Sequence, residues 1–170
     1  MTDADGFEPW YAEAYPRLVT ALALVAGDRD EAEEAAAEAI TRCLERWGTP
    51  QQPRDPSAWT YTVGLNLLRR RWRRRRREAD HLASLPPIRP VETDAPALEL
   101  WRAVAALPRG ERTAVVLRYV GGLGEKEVAE AMDVTEGTVA SSLSRARRKL
   151  GPQLRALGFD PTLEAERADG

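Results

Sequence analysis

The sequence predicts an all-α protein of two small helical domains joined by a flexible linker. Three observations carry that expectation. Almost no segment alternates apolar and polar residues with period two, whereas several place apolar residues at i, i+3, i+4 and i+7. Between Glu78 and Ala97 the composition shifts to proline, alanine, serine and acid, "LASLPPIRPVETDAP", with four prolines and little periodicity, which marks a linker. A chain of 170 residues also has room for two compact helical units, each with a modest core.

The first domain, residues 7–77, begins with a helix near Trp10–Ala26, followed by a turn at "AGDRD" and a helix from about Asp30 to Trp47. At about 100° per residue, Ala36, Ile40, Cys43, Leu44 and Trp47 of that second helix share its core side. Glu31, Glu34, Glu38 and Glu45 fall within roughly 60° of one another on the far side. Such a stripe is either a solvated face, the commonest fate of a charge stripe, or a docking surface.

A proline-rich break, "GTPQQPRDP", precedes a third helix from Ser57 onward, with Ser57 expected as its N-cap. Tyr61, Leu65, Leu68 and Trp72 form one apolar stripe of this helix, and Trp59, Val63 and Leu67 a second. The helix runs into "NLLRRRWRRRRREAD", where eight arginines occupy the nine positions 69–77 and leave 17 basic against 27 acidic residues elsewhere. So bipolar a chain calls for a polyanion partner, because clustered arginines neutralise phosphates and release counterions. Trp72 continues the apolar stripe, so it reads as a core or rim residue with arginine stems packed around it. Arg70, Arg73, Arg74 and Arg77 project from the opposite side as a phosphate-binding ridge. The alternatives are a nonspecific, partly disordered tail or an arginine-rich RNA-binding segment.

Helical periodicity resumes over residues 98–150. Within "EKEVAEAMDVTEGTVASSLSRARRKL", Val128, Ala129 and Met132 supply the inner face of a short helix that breaks at Asp133 and Val134. Thr135 or Glu136 then starts a second helix with Val139, Leu143, Ala146 and Leu150 in one stripe. This is the pattern of a helix-turn-helix: small Ala129 permits close approach, and Asp133 stands where left-handed backbone is wanted. Thr138, Ser141, Ser142, Arg145 and Lys149 lie opposite the stripe and suit base edges and phosphates. The plainer reading is a helical hairpin with a solvated polar face, its final cations complementing the helix dipole. The tail, residues 151–170, opens with Gly-Pro, expected to stop the helix, and is expected to be mobile at its end.

Chemistry of its own is not expected. There is one cysteine and one histidine, and no Ser/His/Asp set, metal-ligand spacing or Gly-rich phosphate loop, so neither enzymatic activity nor a metal or cofactor is predicted. The acidic N-terminus is unlike a secretory signal and no apolar run reaches membrane-spanning length; with a lone Cys43, a reducing cytoplasm is the expected compartment and no membrane partner is expected.

Residues 106–150, "ALPRGERTAVVLRYVGGLGEKEVAEAMDVTEGTVASSLSRARRKL", resemble region 4 of bacterial sigma-70-type factors, specifically the extracytoplasmic-function (ECF) group. Residues 11–77 resemble region 2, through "YPRL", "GDRDEAEEAAAEAITRCLERW" and "DPSAWTYTVGLNLLRRRWRRRRRE". The resemblance implies a factor that binds core RNA polymerase and directs promoter-specific initiation, with an antisigma protein as a further candidate partner. It assigns core-polymerase binding to the second helix, with Glu33, Glu34 and Glu38 at the acidic motif positions and Glu31 and Arg42 beside them. In "EAAAEAI" alanines stand where the family carries larger aliphatics and an aromatic, implying a less apolar, weaker interface.

The resemblance gives capture of the melted −10 strand to Gln52, Arg54, Asp55, Trp59, Asn66, Arg69, Arg70, Arg73, Arg74 and Arg77. Asn66 matches the asparagine of the family's "ARN", here "GLN", with Leu65 in place of a cation. It gives docking in the −35 major groove to Glu136, Thr138, Ser141, Ser142, Arg145, Arg148 and Lys149. Positions usually basic are Ala140 and Ser142, implying weak −35 binding in isolation, with salt slope reduced by about one per lost phosphate contact. The competing readings are a stand-alone helix-turn-helix regulator and a sigma homologue that does not initiate.

Overall fold

The computed structural model describes residues 6–78 and 95–158, with the side chains of 76–78 and 95–98 left aside. Among the described residues all regular structure is helical: α1 (Phe7–Ala26), α2 (Arg29–Leu44), α3 (Pro56–Glu78), α4 (Ala95–Ala106), α5 (Arg109–Val115) with a π turn at Val116–Val120, α6 (Glu125–Met132) and α7 (Glu136–Ala156). Most of the expected linker, residues 79–94, and the end of the expected tail, residues 159–170, lie outside the described residues.

The α1–α2 corner is written locally. Gly27, at φ 75°, donates its N–H to the Ala23 carbonyl and closes α1, as a left-handed terminal glycine does. The Asp28 carboxylate then accepts from the Glu31 N–H at 2.9 Å and opens α2. Ala32, Ala35, Ala36 and Ala39 of α2 are wholly buried, and their small side chains let α2 lie close to Leu18, Leu22 and Val25 of α1. From α3, Tyr61, Leu65 and Leu68 complete this core; each fully buried leucine contributes about 1.5–3 kcal/mol. Leu65, which replaces a cation of the family pattern, therefore points inward. An aromatic cap closes one end, Trp47 meeting Phe7 edge to face at 5.1 Å and Trp10 at a tilt at 5.0 Å, centroid to centroid.

The start of α3 differs from the expectation. Asp55 is the cap, its Oδ1 accepting from the Ala58 N–H at 2.9 Å, and Pro56 takes the first helical position. Proline there needs no N–H partner and moves the cap one step ahead of it. Ser57 has another use: its Oγ accepts from the Trp10 indole N–H at 3.0 Å.

In the C-terminal unit, Asp133 adopts φ 57°, ψ 49°, the left-handed turn the sequence calls for, and the Thr135 hydroxyl caps α7 by accepting from the Thr138 N–H. Val139, Leu143, Ala146 and Leu150 are buried as one stripe. Gly151-Pro152, however, does not stop α7, which runs on to Ala156. The missing proline N–H and ring crowding cost about 3 kcal/mol. Leu154 offsets this by extending the stripe into the core for one more turn.

The two units are not separated: they pack on each other. Tyr61 of α3 faces Gly121 just after the π turn, where an added Cβ would lie 3.2 Å from the phenol ring. Arg69 of α3 donates to the carbonyls of Ala131 (3.3 Å) and Met132 (2.8 Å) at the end of α6. The Arg109 guanidinium lies 4.0 Å from the centre of the Trp72 ring. Trp72 is half-buried against the core, as its place in the stripe requires.

Candidate nucleic-acid and protein interfaces

The outer face of α2 is acidic and only partly as expected. Glu34 and Glu38 are exposed, and Glu33 is half-exposed in an ion pair with Arg29 at 2.7 Å. Arg42 pairs with Glu38 one turn earlier at 2.8 Å. Glu31 departs from the stripe. It is 6% exposed, and the Arg75 guanidinium of α3 reaches it at 2.6 Å. Arg71 does the same for Glu34 at 2.8 Å. Arg71 and Arg75 of the cluster thus neutralise α2 from within the chain, a role unseen in the sequence because it depends on α3 crossing the first turns of α2.

Leu44 departs in the opposite sense. Expected in the core, it is 43% exposed and stands beside Glu45, following Glu38 and Thr41 along the outer face. Ala35, Ala36 and Ala39 are buried, so of the alanines in "EAAAEAI" only Ala37 belongs to the surface. These alanines serve packing with α1 and leave the surface apolar character to Leu44. Burial pushes the Cys43 thiol up to about 11, against a smaller pull from Arg46, so it stays protonated at neutral pH.

On α3, Arg70, Arg73 and Arg74 are exposed and, with Leu67 and Arg71, line an open groove of about 530 Å³. Asn66 is exposed beside them, its Oδ1 3.4 Å from an Arg69 nitrogen. Arg69 itself turns away to α6; burial lowers its pKa while the Asp133 carboxylate opposes that shift. The Arg77 side chain lies outside the described residues. In the loop before α3, Gln52 Oε1 accepts from the Gly48 N–H at 2.8 Å, tying the loop shut, while Arg54 is exposed. Asp55 is engaged as the α3 cap, and Trp59 is half-buried under the Arg46 guanidinium at 5.2 Å.

On α7, Glu136, Thr138, Ala140, Ser141, Ser144 and Arg148 form the exposed face. Ser142 does not belong to it, being 5% exposed against the α5 side of the helix. Arg145 and Lys149 keep half their surface in water, yet both reach back to the buried Glu111 carboxylate of α5, at 3.3 and 2.8 Å. Arg147 donates to the Tyr119 hydroxyl at 2.9 Å. Ser144, absent from the expected set, is exposed on the same face as Ser141 and Arg148, as its spacing from them allows.

Both units of the chain resemble known proteins. The sigma-70 region 2 family matches residues 10–78 and the sigma-70 region 4 family residues 97–150. The chain is 30% identical to the ECF RNA polymerase sigma factor EcfG of Rhodopseudomonas palustris, over 83% of this chain and 81% of that protein. It is also 30% identical to protein R00370 of Rhizobium meliloti, over 88% of this chain but only 39% of that longer protein. Among solved structures, the sigma factor RpoE of Bartonella quintana, in complex with the anti-sigma factor NepR, superposes with a TM-score of 0.74 at 22% identity, over 89% of this chain and 98% of that one.

Proposed function

The chain belongs to the ECF group of sigma-70-type RNA polymerase sigma factors, and from that membership we propose how its surfaces divide the work of promoter-specific initiation. The outer face of α2, Glu34, Glu38 and Leu44 with Glu33 and Arg42 at its edge, docks on core RNA polymerase. The groove of Arg70, Arg73 and Arg74, with Asn66 and the loop carrying Gln52 and Arg54, holds the unpaired −10 strand. The face of Glu136, Thr138, Ser141 and Arg148 enters the major groove at −35. Polymerase performs the chemistry, and the work is cytoplasmic because DNA and polymerase are there. Because the fold neighbour was solved with an anti-sigma factor, a protein of that kind is proposed as a further partner.

One observation carries this reading: adjacent helices of one unit present an exposed acidic face and an exposed arginine groove, while a helix-turn-helix occupies the other unit. A stand-alone duplex-binding regulator has no use for the first of these. The test is the double variant Glu34→Lys/Glu38→Lys. It is expected to lose binding to bacterial core polymerase, and with it transcription from genomic templates, while keeping its affinity for duplex DNA. Retained polymerase binding would overturn the assignment of α2.

A further inference from the structure

The two flanks of α7 hold their cations differently. On one, Arg145 and Lys149 give their charge to the buried Glu111 carboxylate. On the other stands Arg147, whose Nε–H donates at 2.9 Å to the hydroxyl of Tyr119, 28 positions earlier in the chain. A hydroxyl fixes a guanidinium without cancelling its charge. Among the described residues no carboxylate pairs with Arg147.

Tyr119 is unusual in its own right. It lies in the π turn Val116–Val120, which buries Val116 and Leu117 yet leaves the Tyr119 ring 51% exposed, more than any other large apolar or aromatic side chain among the described residues. Turns of this kind recur at functional sites. The Tyr119 oxygen accepts from Arg147, so its own O–H remains to donate, and Arg147 keeps both terminal guanidinium nitrogens. A hydroxyl donor and a cationic fork thus stand side by side, and the acceptor that suits both is an oxyanion with more than one oxygen.

The position of the pair says which oxyanion. At about 100° per residue Arg147 falls between Glu136 and Ala140 around α7, about 10 Å along the axis from Ala140, at the edge of the exposed face. Ala140 brings no charge to that edge. Backbone phosphates border a groove occupied by a recognition helix, and arginine and tyrosine side chains are among the groups that contact them. We propose that Tyr119 and Arg147 form a phosphate clamp that grips the duplex backbone beside the −35 major groove. This flank then anchors the helix-turn-helix while Arg145 and Lys149 stay on Glu111. The inference rests on the reading of α7 as the −35 helix.

The test measures binding of the full chain to a short duplex of random sequence, since a phosphate contact is indifferent to sequence. All variants carry Arg70→Ala/Arg73→Ala, which silences the α3 groove and leaves α7 to report. Arg147→Gln is expected to weaken binding about three- to tenfold at low salt and to lower the slope of log K against log salt by about one. Tyr119→Phe keeps the ring and removes the hydroxyl, so it should weaken binding about threefold at an unchanged slope, no charge being lost. Neither side chain belongs to the buried core, so thermal melts should not move. Arg148→Gln, on the exposed face, separates the two ideas. If it lowers the slope while Arg147→Gln leaves the slope or Tyr119→Phe leaves the affinity untouched, the clamp is overturned and the reading of α7 stands. If Arg148→Gln has no effect either, that reading falls and takes the clamp with it.

Discussion

Lys149 Nζ lies 2.8 Å from Glu111 Oε2, and the same carboxylate holds Arg145 Nε at 3.3 Å through its other oxygen. One buried acid on α5 therefore fixes two cations a turn apart on α7 and sets how α7 sits on the unit beneath it. The hydrogen bond from Lys149, with the attraction of both cations, outweighs burial and holds the Glu111 carboxyl below its ordinary range.

A lowered carboxylate pKa adds stability above the unfolded value, about 4.3 for Glu, and that stability is lost as pH falls through the folded value. Glu111→Gln is therefore expected to cost about 1 kcal/mol at neutral pH, a modest figure because both cations are half exposed and solvent screens them. Urea unfolding of both proteins across the acid range checks this. The gap should close as pH falls below the usual glutamate range, and a gap independent of pH would contradict it.

The same substitution should act on DNA in the opposite direction. With Glu111 neutral, Arg145 and Lys149 are released towards phosphates. Duplex affinity is expected to rise and the slope of log K against log salt to steepen by about one to two units. A salt titration of duplex binding by the full chain measures this, and an unchanged slope would show that neither cation reaches the backbone.

Gly64 sits where α3 crosses α1, and a Cβ there would lie 2.7 Å from Leu22 Cδ1, a side chain with no exposed surface. Alanine improves helix propensity by about 1 kcal/mol, but overpacking costs about 1–3 kcal/mol. Gly64→Ala is thus expected to lower stability by about 1 kcal/mol net in denaturant unfolding. A stabilised variant would mean that Leu22 has room to move.

The N-terminus of α3 separates what the sequence makes legible from what it does not. Helices, the left-handed Asp133 and the stripes of α3 and α7 follow from periodicity and local backbone preference, and all appear in the structure. Ser57 suits a cap on the same grounds, but its hydroxyl is claimed by Trp10, 47 positions away. Glu31, Arg69 and Lys149 each meet a partner on another helix, which spacing along their own helix does not reveal. Asp55→Ala should accordingly cost about 1 kcal/mol through the lost cap. Ser57→Ala should act instead on the Trp10 indole, blue-shifting or quenching its fluorescence with no loss of α3 capping; equal effects of the two on helix content would contradict the assignment.

Leu44 gives the sharpest separation of binding from folding. A leucine 43% exposed at the end of an acidic helix contributes little to the core, so Leu44→Asp is expected to change stability by no more than about 0.5 kcal/mol. On the polymerase side the change matters more. On the docking face proposed for α2, Glu34 and Glu38 would supply charge complementarity, which governs encounter and orientation, and the exposed Leu44 among them the apolar anchor that slows dissociation. Core-polymerase binding by Leu44→Asp should therefore weaken by about tenfold or more, chiefly in the dissociation rate, at unchanged melting temperature. Surface plasmon resonance beside a thermal melt reads both quantities. Native affinity in the variant would place the contact on the glutamates alone, and a lowered melting temperature would return Leu44 to the core.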